Sequence, residues 1–374
     1  MPRVLIVAHH FPPTGTGGVG RALGWARHLP DLGWDVTILA ATPTPNWPQD
    51  EALTRQIHAN VTVHRVASAD PRPDSFRGLG HRELSFLWYR PALKFARALL
   101  AKEKFDVMLA TSPPPTSLKL AAQLGQEFKL PWVADFRDPW AVREPGPWCR
   151  RRRRVYTKLA KAIIAVNPTL AAHLKESLNR KVTVVHNGFE PDEILTNVDR
   201  VPRRAVFLGT LPALDTMAPF FKALARGNGE FLHVGHPSTD LAAVVAAEGL
   251  KKVEQAGYLP RTEALRKAAT GSVFVTALAP DLNLTLPTKV FDYIGLGGPI
   301  LHLGDKGATT EFIAQHKLGE SVSPLQVAAI ATTLERIWSR PDLYSEDLKY
   351  QFERRRQAEW TAAILMDVVK GRAT

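Results

Sequence analysis

The segment spanning residues 282–304 contains residues suited to binding a phosphorylated ligand. It predicts a turn and then the first turn of a helix, with candidate binding residues Leu286, Pro287, Thr288, Lys289 and Asp292. Free backbone amides at a helix start can hold a diphosphate, and Lys289 adds a positive charge. Asp292, one turn further on, can accept hydrogen bonds from ribose hydroxyls; alternatively, it only complements the helix dipole. The spacing therefore predicts a site for a diphosphate joined to a ribose.

A glycine-rich segment after the first apolar run is a second candidate phosphate site. Its glycines are Gly15, Gly17, Gly18 and Gly20, and a helix is predicted to begin near Arg21. Glycines let backbone amides approach a phosphate closely, and the helix start adds a favourable dipole. The spacing matches neither the dinucleotide fingerprint nor a P-loop. A flexible connection is the alternative, and we assign Gly17 and Gly18 to ligand binding.

Charged residues follow a buried apolar run in the sequence WVADFRDPW, residues 132–140. Asp135, Arg137 and Asp138 lie where the carboxyl end of a parallel strand is expected to border a binding cleft. A carboxylate there can orient or deprotonate a hydroxyl, and Arg137 can bind a phosphate or carboxylate through two nitrogens. An internal Asp–Arg ion pair is the alternative. His10, at the end of the first apolar run, is a further catalytic candidate.

An uninterrupted basic run, Arg150–Arg154, predicts an amphipathic helix. Helical spacing places on one face Arg150, Arg154, Lys158 and Lys161, and on another Val155, Leu159 and Ile163. Such a segment can rest on anionic lipid, whereas the alternative is a solvated surface helix. A second basic and aromatic stretch covers residues 72–97. The residues expected to contact an anionic membrane or an anionic acceptor are Arg150, Arg151, Arg154 and Lys158.

The composition is that of a globular protein with an asymmetric charge. The 374 residues are 45% hydrophobic and 22% charged, and the single cysteine, Cys149, excludes an internal disulfide and a multi-cysteine zinc site. The net charge is +12, of which residues 1–200, with 28 basic and 18 acidic side chains, carry +10. This field attracts polyanions or an anionic membrane. Without a membrane-length apolar run or a signal peptide, the sequence predicts a cytoplasmic protein, peripheral at the inner membrane face.

Short apolar runs alternate with helical patterns along the first half of the chain. Continuous apolar runs are typical of parallel strands buried on both faces. They cover Val4–Ala8, Val36–Ala40, Val61–Val66, Val107–Thr111, Trp132–Ala134, Ala162–Val166 and Val182–Val185. Helical patterns cover Arg21–Leu29, Leu93–Ala101 and Thr116–Phe128. This order predicts a doubly wound α/β domain.

The pattern restarts near residue 200. Strands are predicted at Ala205–Leu208, Phe231–Val234, Val273–Leu278 and Ile300–Leu303, and helices at Ala218–Ala225, Leu241–Gly249 and Thr262–Ala269. Residues 189–202 read as a linker, and residues 345–369 predict a helix that can pack on either domain. The predicted domains are residues 1–197 and 198–345, followed by a helical segment at 346–374. We expect an α/β fold of two doubly wound, Rossmann-like domains facing a cleft.

The 282–304 segment resembles the donor-binding region of nucleotide-sugar glycosyltransferases of the GT-B fold, especially retaining family 4. The family pattern P-x-K-x-x-E-Y-x-A-x-G-x-P-[IV] is matched by Pro287, Lys289, Asp292, Tyr293, Gly297, Pro299 and Ile300. Further family segments are similar to the first strand, glycine loop and helix of this chain, and to residues 132–140, 184–193 and 256–275. These segments follow one another in the same order as in the family. The resemblance thus covers most of the chain.

The resemblance implies a metal-independent hexosyltransferase that needs no cofactor and uses a nucleotide-sugar donor, with a UDP-sugar expected. Donor binding is assigned to Gly17, Gly18, Gly209, Thr210, Leu259 and the 286–292 residues named above. Catalysis is assigned to His10, Asp135, Arg137 and Asp138. With the basic first half, the resemblance favours a glycan, lipid-linked or other anionic acceptor, in cell-surface glycan or polysaccharide biosynthesis. Nucleic acid is not an expected partner, because no recognised nucleic-acid module is present.

The chain departs from the family at charged positions of the donor site. Leu284 replaces the first glutamate of the E-x7-E pair, and Asp292 replaces the second. Thr210 and Asp215 stand near the place of a basic pair that stabilises the departing diphosphate. These departures leave the alternative of a GT-B binding protein with a retired active site. The charge of +10 in the first half leaves the alternative of a glycosyltransferase acting on nucleic acid, and if the basic stretches are incidental surface, the enzyme acts on a small-molecule natural product.

Overall fold

The computed structural model describes residues 1–44, 47–68, 86–138, 147–195, 198–344 and 349–372. The chain folds into two compact units. The first contains Met1–Asn187 together with Arg354–Thr374, and the second contains Gly188–Glu353. The chain therefore leaves the first unit after Asn187 and returns to it with its last helix. The sequence left open on which domain the C-terminal helix packs, and in the structure it belongs to the first unit.

The first unit is built on a parallel seven-stranded sheet in the order β3-β2-β1-β4-β5-β6-β7. Its strands are β1 Arg3–Val7, β2 Asp35–Ala41, β3 Thr62–Val66, β4 Val107–Ser112, β5 Trp132–Phe136, β6 Ala162–Ala165 and β7 Thr183–Val184. The central strands form continuous apolar runs, and hydrophobic cores cover both faces of the sheet. The strand order reverses between β1 and β4, which is the switch point at which doubly wound sheets bind ligands.

Helices cover both faces of this sheet. They are α1 Val19–His28, α2 Phe86–Lys102, α3 Pro115–Phe128, α4 Pro147–Thr157, α5 Pro168–Leu178 and the last helix of the chain, α12 Arg354–Val369. Helix α12 places Ala358, Leu365 and Val368 in the same core as the buried residues of α1. Gly24 of α1 allows these two helices to pack closely, because a Cβ at this position would lie only 3.1 Å from the Arg354 side chain.

The second unit repeats the architecture with a parallel six-stranded sheet in the order β10-β9-β8-β11-β12-β13. Its strands are β8 Arg204–Leu208, β9 Glu230–Val234, β10 Val253–Gln255, β11 Val273–Ala277, β12 Ile300–Leu303 and β13 Gly319–Val322. Its helices are α6 Leu214–Arg226, α7 Leu241–Ala247, α8 Arg261–Ala268, α9 Thr288–Leu296, α10 Ala308–Gln315 and α11 Val327–Ser339. The switch point lies between β8 and β11.

The prediction of two doubly wound α/β domains is confirmed. Two strands were not predicted, β10 and β13, because β10 has only three residues and the sequence Gly-Glu-Ser-Val of β13 is half-buried rather than apolar. The segment read as a linker begins inside the second unit: Phe189 is buried there, and its amide donates to the carbonyl of Phe352. Within the described residues, no helix is both long and apolar enough to span a bilayer.

Candidate functional site

The switch point of the second sheet brings together two segments that the sequence singled out. Gly209 directly follows β8, and helix α9, which follows β11, begins at Thr288. The Nζ atom of Lys289 lies 3.8 Å from the centroid of the Phe207 ring, and a Cβ at Gly209 would lie 3.7 Å from the same Nζ. Two regions about 80 residues apart in sequence thus meet, because β8 and β11 are neighbouring parallel strands whose carboxyl ends lie at the same edge of the sheet.

The turn after β8 requires glycine. Gly209 has a φ of +90°, which side-chain-bearing residues rarely adopt. Its carbonyl oxygen lies 2.8 Å from Nε2 of the buried His233, and a Cβ at Gly235 would overlap that carbonyl. The backbone therefore turns tightly beside Lys289.

Lys289 is half-buried, and burial lowers the pKa of its ammonium to about 7, while the charge of Asp292 partly opposes that effect. Its neighbours at the helix start are backbone N–H groups without intrahelical partners. The site thus presents positive charge and free donors, which are the features that bind a phosphate at a helix start.

Asp292 is held by an arginine that the sequence did not single out. Arg261 Nη2 donates to Asp292 Oδ1 at 2.7 Å, and Arg261 Nε donates to Glu193 Oε2 at 2.6 Å. Asp292 is 4% exposed and Glu193 5%, so both carboxylates are buried and share one guanidinium. Both Arg261 and Glu193 lie in segments of family resemblance, 256–275 and 184–193, but nothing in their local spacing pairs them.

The other predicted donor residues of the second unit have different exposures. Leu286 is buried and Leu259 is partly buried, and both pack in one core. Thr210 is exposed beside Gly209, and Pro287 and Thr288 are half-buried at the start of α9. The two leucines can therefore contribute to a ligand site through their backbone groups, whereas their side chains stabilise the fold.

In the first unit, Asp135 forms a buried ion pair. It lies inside β5 rather than after it, is fully buried, and accepts hydrogen bonds from Arg21 Nη2 at 2.8 Å and Thr111 Oγ1 at 2.6 Å. Arg21 Nη1 also donates to the carbonyl of His186 at 2.8 Å. The internal ion pair considered from the sequence is therefore present, with Arg21 and not Arg137 as the partner. Asp135 is placed to position α1 rather than to touch a substrate.

Arg137 connects the glycine loop to the segment after β4. Its guanidinium donates to the carbonyls of Gly18 and Pro113, and its amide donates to the Ser112 carbonyl at 2.9 Å. A Cβ at Gly18 would overlap this guanidinium, so glycine permits the contact. Burial lowers the pKa of Arg137, although Asp135 and Asp138 raise it. Arg137 and Asp138 are half-buried.

The histidines that end the first apolar run have different surroundings. His9 is buried, and burial together with the charge of Arg137 lowers its pKa to about 4, which makes it neutral at pH 7. Its ring meets the Trp88 ring edge-on at 5.0 Å and the His10 ring at 4.6 Å. His10 is half-buried, and its ring centroid lies 5.4 Å from that of Trp47. His10 is the more accessible of the two.

The basic helix differs from the prediction. Helix α4 ends at Thr157, so Lys158 and Lys161 lie beyond it, and Ile163 lies in β6. The carbonyl of Thr157, the last residue of the helix, accepts from Arg180 Nη1 at 2.8 Å. The single basic face through Lys161 is therefore a wrong prediction.

The surface of α4 and the segment after it is nevertheless basic. Its exposed side chains are Arg151, Arg154 and Lys158, accompanied by Val155 at 59% and Leu159 at 47% exposure. Arg153 is buried beneath them. Arg150 lies in α4, but its side chain is outside the described part of the chain, as are residues 72–85 of the second basic stretch.

The described residues contain no group of three or more His, Cys, Asp or Glu side chains arranged to hold a metal ion.

Comparison with known proteins identifies the first unit and the fold. Residues 16–188 match the family model of a glycosyl transferase 4-like domain. No curated protein matched the chain. The fold is similar to that of a glycosyltransferase from Rickettsia africae, with 16% identity and a TM-score of 0.70 over 99% of both chains.

Two further solved structures contain nucleotide ligands. HepE from Anabaena, solved with UDP and glucose, has 14% identity and a TM-score of 0.66 over 100% of this chain and 97% of its own. MnaA from S. aureus, solved with UDP, has 11% identity and a TM-score of 0.61 over 100% of this chain and 98% of its own. At these identities, the likeness shows the fold alone.

Proposed function

We propose that this chain, whose residues 16–188 match the family model of a glycosyl transferase 4-like domain, is a GT-B glycosyltransferase that transfers a sugar with retention from a nucleotide-diphosphate sugar to an acceptor hydroxyl. The expected donor is a UDP-sugar, and the acceptor belongs to cell-surface glycan or polysaccharide biosynthesis. The observation that carries the donor assignment is the position of Lys289: its ammonium lies beside Gly209 at the start of α9, at the switch point of the second sheet.

The second unit would hold the donor by three kinds of contact. The diphosphate would bind the amides at the start of α9 and the Lys289 ammonium. Ribose hydroxyls would donate to Asp292, whose orientation is set by Arg261 at 2.7 Å. The tight turn at Gly209 would let the diphosphate approach the backbone closely. No metal enters this assignment, because these groups already supply positive charge.

The transfer step changes the charge of the diphosphate. The bond from the sugar C1 to the diphosphate oxygen breaks, the acceptor oxygen bonds to C1, and the acceptor hydroxyl gives its proton to a base, for which the Asp138 carboxylate is the candidate. Negative charge therefore accumulates on the departing diphosphate, where Lys289 and the α9 amides can stabilise it. In the first unit, the half-buried His10, Arg137 and Asp138 are available to an acceptor, whereas Asp135 positions Arg21.

Calorimetric titration with nucleotide diphosphates and their sugars tests the donor assignment. We expect one nucleotide to bind and both Lys289→Ala and Asp292→Ala to weaken its binding tenfold or more, since each removes a charge-assisted contact worth about 1.5–3 kcal/mol. Asp305→Asn, an exposed residue after β12, is the matched control and should bind like the native chain. Binding that survives both substitutions would refute the assignment.

We further propose that the first unit rests on an anionic membrane through the α4 surface. Arg151, Arg154 and Lys158 are exposed beside Val155 and Leu159, so cationic and apolar groups occupy one surface. This combination favours the interface of an anionic bilayer, and it agrees with the charge of +10 in residues 1–200. A lipid-linked or otherwise anionic acceptor would be reached from this surface.

Vesicle flotation tests the membrane proposal. The chain should float with vesicles containing phosphatidylglycerol and not with pure phosphatidylcholine. The double variant Arg151→Ala and Lys158→Ala should bind these vesicles about thirtyfold more weakly, at roughly 1 kcal/mol per basic residue. Lys175→Ala, an exposed change on α5, is the control. Equal flotation with both lipids would refute the proposal.

A donor-binding protein without transfer is the second candidate. Its support is the absence of basic residues at Thr210 and Asp215 and of a carboxylate at Leu284. Tight nucleotide-sugar binding with neither transfer to any acceptor nor donor hydrolysis would favour it. Faster turnover with anionic than with neutral acceptors would favour the enzyme and the acceptor class proposed above.

A further inference from the structure

A cavity lies at the edge of the second sheet opposite Gly209. Its volume is about 440 Å³, within the range of about 300–1,000 Å³ that is usual for small-molecule sites. Four residues that directly precede strands line it: Arg203 before β8, Ser272 before β11, Pro299 before β12 and Leu318 before β13. The C-terminal ends of α9 and α11 complete the wall. The cavity therefore lies at the amino ends of the strands, whereas the proposed donor site lies at their carboxyl ends.

Side-chain hydrogen bonds hold the walls of this cavity in place. Arg200 donates from Nη2 to the carbonyls of Leu296 and Gly297, at 2.7 and 2.8 Å, at the end of α9. Arg203 donates from Nη1 and Nη2 to the two carboxylate oxygens of Glu335 in α11, at 2.6 and 2.8 Å. The segment before β8 is thereby tied to both helices. A ligand would meet a preformed site and would not have to order its walls on binding.

Trp338, in the last turn of α11, lines the cavity with an indole N–H that has no acceptor. Its Nε1 is buried from solvent, and no acceptor in the described part of the chain lies within hydrogen-bond distance. The Arg203 guanidinium covers the indole at 4.9 Å from its centroid, and a Cβ at Gly227 would lie 3.3 Å from Cζ3. Nε1 is at the opposite edge of the indole from Cζ3, so the N–H faces away from Gly227. A buried donor without an acceptor is unfavourable, and a ligand oxygen would satisfy it.

The rest of the lining is largely apolar and carries a net positive charge. Ile294 and Ile337 provide apolar side chains, and Tyr344 adds an aromatic ring. Among the described lining residues, the charged side chains are those of Arg200, Arg203 and Glu335, which sum to +1. Apolar and aromatic walls favour a flat ring system in the ligand. The positive charge and the N–H favour a carboxylate on that ring system.

We propose that this cavity is a second ligand site, which binds a small aromatic carboxylate. The ring system lies between the apolar side chains, and a carboxylate oxygen accepts from Trp338 Nε1. The site goes beyond the donor assignment and does not rest on it. The cavity and the donor segment lie at opposite ends of the nine-residue helix α9, which is about 13 Å long. The two ligands can therefore be bound at the same time.

Ligand-observed NMR titration of the full chain with 2-naphthoate tests the proposal. The comparison probe is 2-methylnaphthalene, which has the same ring system and no acceptor. We expect 2-naphthoate to bind and Trp338→Phe to weaken its binding about tenfold or more, because a hydrogen bond to a charged acceptor is lost. Trp338→Phe should bind 2-methylnaphthalene like the native chain, and this result also shows that the variant is folded.

Ser272→Leu should weaken the binding of both probes, since the larger side chain fills part of the cavity. Trp360→Phe is the matched control, because it makes the same change at an exposed tryptophan of α12 in the first unit. It should bind both probes like the native chain. The nucleotide sugar retained in the donor screen should not displace 2-naphthoate.

Four results would overturn the proposal: no binding of 2-naphthoate to the native chain, its displacement by the nucleotide sugar, native binding by Ser272→Leu, or an equal effect of Trp338→Phe on both probes. Absence of binding by every nucleotide would instead remove the donor assignment and leave this proposal standing.

Discussion

The Arg21–Asp135 ion pair allows the stability of the first unit to be predicted quantitatively. Arg21 Nε lies 3.0 Å from both Asp135 oxygens and Nη2 lies 2.8 Å from one of them, while the two side chains are 4% and 0% exposed. Asp135→Leu would leave the guanidinium buried and without its carboxylate. Breaking a buried pair in this way costs about 3–5 kcal/mol.

Differential scanning calorimetry of the full chain measures the effect. For a unit of this size, each kcal/mol lowers Tm by about 2–4 °C, so we expect the transition of the first unit to fall by about 10 °C. Arg21→Met should have a similar effect, because it leaves Asp135 buried with Thr111 as its remaining side-chain donor. The transition of the second unit should not move.

The double variant Arg21→Met with Asp135→Leu distinguishes the ion pair from packing. Removing both charges leaves no buried ion, so it should lose less stability than either single change. Asp138→Asn, a half-buried change three residues away, is the control and should cost less than about 1 kcal/mol. Single variants near the control, or a double variant as unstable as the sum of the singles, would refute the reasoning.

Three further predictions concern other buried groups. Tyr293→Phe should destabilise the second unit by about 1–3 kcal/mol in chemical denaturation, because two buried backbone groups lose their partner. His9 and His302, each with a pKa lowered by burial to about 4, should make the chain lose stability as pH falls from 6.5 towards 4, by up to about 1.4 kcal/mol per pH unit for each. Gly18→Ala should displace Arg137 and lower kcat/KM about tenfold or more.

For each of these three predictions, one experimental outcome would contradict the reasoning. Stability unchanged in Tyr293→Phe would mean that water replaces the hydroxyl. The sign of the pH effect follows because burial lowers the pKa of both histidines in the folded chain. Below pH 6.5 the unfolded chain therefore binds protons that the folded chain does not bind, and stability falls. Stability that rises on acidification would contradict the burial argument. Native kcat/KM in Gly18→Ala would show that the Arg137 contact with the glycine loop does not matter for transfer.

The amino-acid sequence alone determined the two doubly wound domains and the helix start within residues 282–304. The mostly apolar run predicted at Val107–Thr111, which is strand β4 in the structure, is recognisable because strands buried on both faces favour apolar side chains at successive positions. The start of α9 after Pro287 is recognisable because a proline before a helix and the glycine after it are local signals. These features depend on neighbouring residues and can be read without the fold.

Only the tertiary structure decided the pairing of charges. Asp135 meets Arg21 across 114 positions, and Asp292 meets Arg261 across 31, because the carboxyl ends of separate strands and the helices beside them converge. The position of the last helix was also decided by long-range packing, because its apolar side is part of the core around α1. Periodicity in the sequence shows that a helix has an apolar side, but it does not show which element packs against that side. Local pattern sets the elements, and long-range burial selects their partners.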